Sequence, residues 1–278
     1  MNRLRMGGGR GGLRWWPILL FVLYLGYYWV SNRAEVPLTG RSQLVDMSQE
    51  QELALGLQSY QQILSQVRLA NDGRADQVRA IGQRLVQAAQ VQLPDVAWQH
   101  FQWQFNLVED NQANAFCLPG GKVAVYTGIL PITANQDGLA VVMGHEIAHA
   151  IARQGAERMA TQRLVQMGSM AAGMSVGEMD PATQRTVMAA IGAGAQYGVL
   201  LPFSRDHESE ADHIGLMIAA RACFDPREAP KLWQRMAAAA GGSQSSEFMS
   251  THPSHDTRIN RLNDLMPQAL AIYQQHCR

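Results

Sequence analysis

The chain has 278 residues, 47% of them apolar and 17% charged, which is enough for a buried core and carries no disorder signature over most of its length. Lys plus Arg and Asp plus Glu balance at 23 each, and no long basic run follows residue 33, so nucleic acid is excluded as an expected partner. A single folded domain over 48–278, behind shorter N-terminal segments, is the simplest division.

Residues 1–14 hold Arg3, Arg5, Arg10 and Arg14 and no acid. Trp15 to Val30 follows without a charge, about 24 Å of helix against a hydrocarbon core of ~30 Å, a deficit that snorkelling by Arg14 and Arg33 covers. Trp15, Trp16, Tyr27, Tyr28 and Trp29 cluster at the two ends of the run, where amphipathic rings favour the headgroup layer. The pattern predicts a transmembrane anchor over 15–30. A cleaved secretory signal is the competing reading, but the run ends in YYWVSNRAE, a poor small-residue cleavage site. The arginines hold residues 1–14 in the cytoplasm and send the rest across. For a bacterial chain this means a single-pass inner-membrane protein with a periplasmic domain. Cys117, Cys223 and Cys277 then lie in an oxidising compartment; Cys223 with Cys277 is the pair to test, and three unpaired thiols are the alternative.

Residues 31–47 contain Ser, Asn, Pro and Gly without a clear period and read as a tether. Ser48, followed by Glu50, Gln51 and Glu52, predicts a capped helix start, and Leu53, Leu57, Tyr60, Ile63, Leu64 and Val67 keep helical spacing. A second helix is expected from about Ala75 to Val91, ended by Pro94. Phe101, Trp103, Phe105 and Leu107 alternate with polar residues and predict a half-buried strand. Asn114–Leu118 and Lys122–Thr127, split by Pro119-Gly120-Gly121, predict two short strands around a turn. After Gly128 the pattern is helical. Residues 159–201, rich in Ala, Met and Gly, read as two packed soluble helices joined near Asp180-Pro181, because Arg163, Glu178, Asp180 and Arg185 interrupt the apolar runs.

Residues 145–149 read His-Glu-Ile-Ala-His within a helical apolar pattern. Positions four apart project from one helix face, so His145 and His149 can reach one tetrahedral ion. Glu146 is rotated about 100° from His145, beside the open position, which suits a general base acting on water acidified by zinc. Gly at 152 with His at 155 would supply a third ligand, but the chain has Ala152 and Gly155, and residues 158–177 contain no acid. The next dense acidic group is Ser204 to Asp212. On a helical wheel Glu208 shares a face with Ala211, Asp212, Gly215, Ala219 and Ala222, whereas Glu210 falls opposite with His213, Met217 and Arg221. Small residues let helices approach closely, so Glu208 is the better third ligand, with Asp212 placed to accept the second N–H of a ligand histidine. His100, His207, His213 and His276 have no ligand spacing.

The sequence resembles the M48 family of metallopeptidases, most of all its bacterial periplasmic members related to the mitochondrial protease Oma1. The matching pieces are Leu-Thr-Gly-Arg-Ser-Gln at 38–43, Asn-Ala-Phe-Cys-Leu-Pro-Gly-Gly at 114–121, the His-Glu-Ile-Ala-His helix, Tyr-Gly-Val-Leu-Leu-Pro-Phe-Ser-Arg at 197–205 and Glu-Ser-Glu-Ala-Asp at 208–212. The resemblance implies an α+β, mainly helical gluzincin domain with a small β-sheet beside the zinc helix, one Zn2+ per chain with Glu208 as third ligand, and cleavage of membrane-associated, unfolded or damaged envelope proteins. It also implies that Asn114, Ala115 and Phe116 form an edge strand that receives an extended peptide, an ordinary internal strand being the alternative. His252, with His255 as a less favoured substitute, and Arg258 are implied to face the site. Either His252 or Arg258 would stabilise an oxyanion, or His252 would fill the fourth metal position in a resting state; the bland alternative is a helix start at Ser254 and Asp256 with surface histidines. The competing function is a metal-stabilised periplasmic chaperone or adaptor with little proteolysis, and Glu146 favours the enzyme, since a binding module needs no general base.

Overall fold

A computed structural model describes residues 13–240, 247–252 and 256–277. Arg3, Arg5 and Arg10 of the expected cytoplasmic segment, and Ser254 and His255 of the His252 loop, lie outside the described residues. The chain forms two compact units. One contains the N-terminal segment to Ala34, Leu44–Asp46 and Glu157–Arg205; the other contains Glu35–Gln43, Met47–Ala156 and the chain from Asp206 onward.

In chain order the elements are α1 (Trp16–Ser31), β1 (Arg33–Glu35), β2 (Ser42–Leu44), α2 (Gln49–Leu64), α3 (Gly73–Gln92), β3 (Gln104–Val108), β4 (Ala115–Leu118), β5 (Lys122–Tyr126), α4 (Leu130–Thr133) and α5 (Gln136–Ile151). They continue with α6 (Gln154–Val176), α7 (Pro181–Ala195), α8 (Leu201–Arg221), α9 (Glu228–Ala240), α10 (Glu247–Thr251) and α11 (Asp256–His276). The fold is mainly helical with small sheets, as the sequence leads one to expect.

Local chemistry explains the helix starts of the second unit. Ser48 and Gln51 exchange side-chain and backbone bonds in a capping box at α2, Asp72 accepts from Arg74 and Ala75 at α3, and Asn135 accepts from Gly138 at α5. The three-stranded sheet has the order β3-β5-β4. Its central strand β5 is buried at every position; β3 runs parallel to it and β4 antiparallel. Gly120 and Gly121, at φ +77° and +85°, make the β4–β5 turn that a side chain would strain. Trp103 precedes the strand that the alternating aromatics predict; its ring stacks between Phe101 at 5.0 Å and Phe105 at 6.1 Å.

Two expectations are corrected. Residues 31–47 are not a loose tether: they carry β1 and β2, bury Val36 and Gln43, and send Thr39 and Arg41 to Glu210. Helices α6 and α7 do break at 177–180, but α7 is not packed as expected. It has no buried residue and continues through a π-helical turn at 196–200 into α8, giving one 41-residue helical run from Pro181 to Arg221. By length and composition this run can cross a membrane; α1 is a shorter apolar helix. Charge counting misleads here because Glu178 and Asp180 lie in the turn, not within a helix.

Helix α5 is buried over most of its length and crosses α8 at two glycines. A Cβ on Gly215 would lie 2.8 Å from the Gly144 carbonyl carbon and the His145 backbone nitrogen. Cys223, just past α8, is bonded to Cys277 at the end of α11, one of the two alternatives the sequence leaves open, and Cys117 is free.

Gly215→Ala is expected to destabilise the protein by about 1–3 kcal/mol, because the roughly 1 kcal/mol of helix propensity that alanine adds does not offset a clash with backbone. Urea unfolding checks it, and a variant as stable as the parent contradicts so close a crossing.

Candidate metal centre

The glycine crossing sets His145, Glu146 and His149 on α5 against Glu208 and Asp212 on α8. His252 arrives from the end of α10 and Arg258 from the first turn of α11. His145 Nε2 lies 3.0 Å from His149 Nε2 and 3.3 Å from Glu208 Oε2. His252 Nδ1 lies 2.9 Å from Glu208 Oε2 and 3.3 Å from His145 Nε2. One donor atom from each of these four residues falls within 4.8 Å of the others.

Each α5 histidine is fixed by a partner on its other nitrogen. His145 Nδ1 is 3.0 Å from Asp212 Oδ1, and His149 Nδ1 is 2.5 Å from the amide oxygen of Gln154. Both Nδ1 atoms therefore donate, which leaves the Nε2 lone pairs facing each other. Two lone pairs at 3.0 Å repel unless a cation lies between them. Donor atoms on a tetrahedral ion with ~2.0–2.1 Å bonds stand about 3.3 Å apart, close to the spacings found. Glu146, Glu208 and Asp212 against Arg258 leave two negative charges in a buried cluster, the complement of a divalent ion. The residues thus fit a metal with nitrogen and carboxylate ligands.

The electrostatics agree. Burial and the nearby Arg258 oppose protonation of His145, yet the hydrogen bonds it donates to Asp212 and Glu208 raise its pKa to about 9, so without an ion the cluster attracts a proton. His149 is pushed well below the usual histidine range by burial and by His145. Burial pushes Glu208 upward, but the bonds to His145 and His252 outweigh it and hold the carboxyl far below the normal range.

Glu146 lies outside the ligand set. It is buried, and its Oε1, 3.4 Å from His252 Nε2, has no hydrogen-bond partner among the described residues. Burial raises its pKa above that of an ordinary glutamate. Arg258 is buried too, with Nε 2.5 Å and Nη2 2.9 Å from the Asp212 oxygens, Nη1 3.0 Å from Glu208 Oε2, and its guanidinium 3.5 Å above the Trp233 ring. Each of these three nitrogens thus faces a carboxylate of Asp212 or Glu208.

β4 lies at the sheet edge. Asn114 O accepts from Tyr126 N of β5, so by strand alternation the Ala113 and Ala115 carbonyls point to the open side. Ala115 is buried, and Phe116 is half-buried with its ring edge-on to Tyr126. Phe248 N donates to Ala113 O at 3.2 Å on that open side. The other histidines stand apart from the cluster: His100 lies 3.6 Å from Glu50, His276 3.0 Å from Arg221, and His207 and His213 are on α8 outside the ligand group.

The wheel places Glu210 away from the metal face, yet it is not a bystander. Its Oε2 accepts from Gln154, the residue that holds His149, and its other partners are Arg41 at 2.9 Å and Thr39 at 2.6 Å. Thr39 and Arg41 belong to the 38–43 segment that resembles the M48 family, which was the available signal. Gln154 follows a chain reversal at Arg153, φ +55°, that no spacing rule anticipates.

Glu208→Gln is expected to remove most of the bound metal. Glu210→Gln should weaken binding about tenfold through Gln154 and leave the ligands in place. Metal content after dialysis separates them, and equal losses would contradict the assignment.

The Peptidase family M48 model matches residues 72–266. The chain is 34% identical over 249 residues to mitochondrial metalloendopeptidase OMA1 of Schizosaccharomyces pombe, covering 88% of this chain and 69% of that protein. It is 32% identical over 270 residues to mitochondrial metalloendopeptidase OMA1 of Homo sapiens, covering 94% of this chain and 50% of the relative. It is also 31% identical over 251 residues to the beta-barrel assembly-enhancing protease of Yersinia pestis, covering 87% and 50%. Together with the paired helices and their convergent donors, this extent of similarity makes the chain a metalloendopeptidase belonging to peptidase family M48.

Proposed function

We propose that the chain is a zinc endopeptidase of the cell envelope that cleaves membrane-associated or misfolded proteins. In this reading it is anchored by α1 in a bacterial inner membrane, with its catalytic unit in the periplasm. The Cys223–Cys277 bond supports an oxidising compartment. The observation that carries the enzymatic reading is Glu146: a buried carboxylate beside the ligand cluster, outside it, with one oxygen unpartnered.

His145, His149 and Glu208 would hold the ion, with Asp212 and Gln154 fixing the two rings and Arg258 steadying both carboxylates. The ion, when bound, acidifies water and polarises the scissile carbonyl. Glu146 takes a proton from the attacking water on its free Oε1 and returns it to the departing amine, which its raised pKa favours. An extended substrate pairs with the open edge of β4 at Asn114–Phe116, and backbone bonding there tolerates many sequences. Segment 247–252 lies next to this edge: Phe248 bonds Ala113, and His252 joins the ligand cluster. That supports a resting state in which His252 fills the fourth position and leaves when substrate arrives.

Glu146→Gln is expected to keep zinc and fold and to abolish cleavage of casein; proteolysis near the parent rate with zinc unchanged excludes Glu146 as the base. In the parent, kcat/KM should fall as acid protonates Glu146. Because burial raises that pKa, the loss should be centred above the ordinary glutamate value of 4.5.

His252→Ala is expected to raise basal cleavage or self-cleavage with metal content kept. A drop of roughly a hundredfold, about 2.7 kcal/mol, would instead assign His252 to the oxyanion, and an unchanged rate places it outside the chemistry.

A further inference from the structure

The first compact unit consists of α1, α6 and α7 with short adjoining segments, and its charges are segregated. Three stretches have none: 15–32 on α1, 164–177 on α6, and 186–204 from α7 into the start of α8. At ~1.5 Å per residue these are about 27, 21 and 28 Å long.

α1 and α6 run antiparallel. Arg14 N donates to Ser175 O at 3.0 Å, Arg14 also pairs with Glu178 at 3.3 Å, and the Phe21 ring lies over Gly168. Farther along, Asp46, which follows α1 in the chain, pairs with Arg163 at the other end of the α6 stretch. The turn at 177–180 then reverses the chain, and Gly173 of α6 faces Met188 of α7.

The α1 and α6 stretches therefore lie side by side, α7 approaches α6 at Met188 beyond the turn, and each stretch carries charges at its two ends only. Arg14, Glu178, Asp180 and Arg185 mark one end; Arg33, Asp46, Arg163 and Arg205 mark the other. Between them the unit exposes apolar side chains in quantity: Leu19, Leu20, Val22 and Leu23 on α1 and Met170 and Met174 on α6 are each more than half exposed, while α7 buries none. The rings of Trp15, Trp16, Tyr27 and Trp29 sit at the ends of α1, where a bilayer interface favours them.

We propose that α6 and α7 form a hairpin that crosses the same bilayer as α1, so that the chain spans it three times and the 177–180 turn emerges on the side of Arg14. A bilayer is the occupant that matches a band about one hydrocarbon thickness tall, apolar on several helices and charged at both rims. The shorter α6 stretch is rich in Gly, Ala and Ser, which suits close packing between spans, and Arg163 can reach outward to the rim. The inference takes α1 as a span, as proposed above, and adds two crossings that the protease reading does not require.

Single cysteines placed in the full-length chain test it in sealed membrane vesicles with a membrane-impermeant maleimide, each site being read by peptide mass spectrometry. Gln90→Cys, exposed on α3, reports the side of the catalytic unit, and Leu13→Cys reports the side of the α1 start. Gly177→Cys reports the turn, where a Cβ meets nothing closer than 3.5 Å. The expected result is that Gly177→Cys and Leu13→Cys react together, on the side opposite Gln90→Cys. Whichever side is shielded should react about tenfold more slowly until detergent opens the vesicles. Gly177→Cys reacting with Gln90→Cys, while Leu13→Cys does not, overturns the hairpin and leaves the anchor. All three reacting alike overturns the anchor as well, without bearing on proteolysis.

Discussion

The contact of Gly144 with Gly215 governs the rest of the catalytic unit. Two helix backbones in direct contact place side chains from the adjacent positions within bonding range. His145 follows Gly144, while Asp212 and Glu208 stand about one and two turns before Gly215. A larger residue at either glycine would move one ligand set away from the other. The ligand geometry is thus set by what is missing from two side chains.

The carboxylates at this crossing repel one another and lose hydration, which would be prohibitive without compensation. Arg258 supplies it within the protein, stacked on Trp233 and shared by Asp212 and Glu208. One guanidinium cannot neutralise three carboxylates, and the remaining charge has a divalent ion as its natural complement. Glu146 is treated differently from the others: Arg258 does not pair with it, and burial outweighs the opposing pull of His252 and His145 on its proton affinity. Glu208 and Glu146 are both buried glutamates, and their surroundings push them in opposite directions.

Much of this was legible in the sequence because local periodicity encodes it. The His-Glu-Ile-Ala-His spacing, the small-residue face of α8 and the capping residues each act within a few turns of helix. Gln154, Glu210 and Arg41 were not legible as one chain of bonds, since they join segments far apart through a left-handed residue at Arg153. The 31–47 segment read as a tether because its bonding partner, Glu210, is distant in sequence. For 159–201, composition counts charges but not where a turn puts them. Cys223 and Cys277 stand out in the sequence only because both fall outside the motif-bearing segments; their proximity appears once α11 returns to the end of α8.

That return has a mechanical side. Helices α8 and α11 are fastened near both ends: Arg258 pairs with Asp212 and Glu208 at one, and Cys223–Cys277 stands beside the Arg221–His276 contact at the other. A single fastening lets one rod swivel about the other; two, separated along the rods, remove both swivel and slide. The covalent clamp is exposed to the redox state of its surroundings, whereas the ionic one is buried in the site. Thiol reduction would leave the C-terminal end of α11 without a covalent tie and loosen it first, while Arg258 still holds the other end.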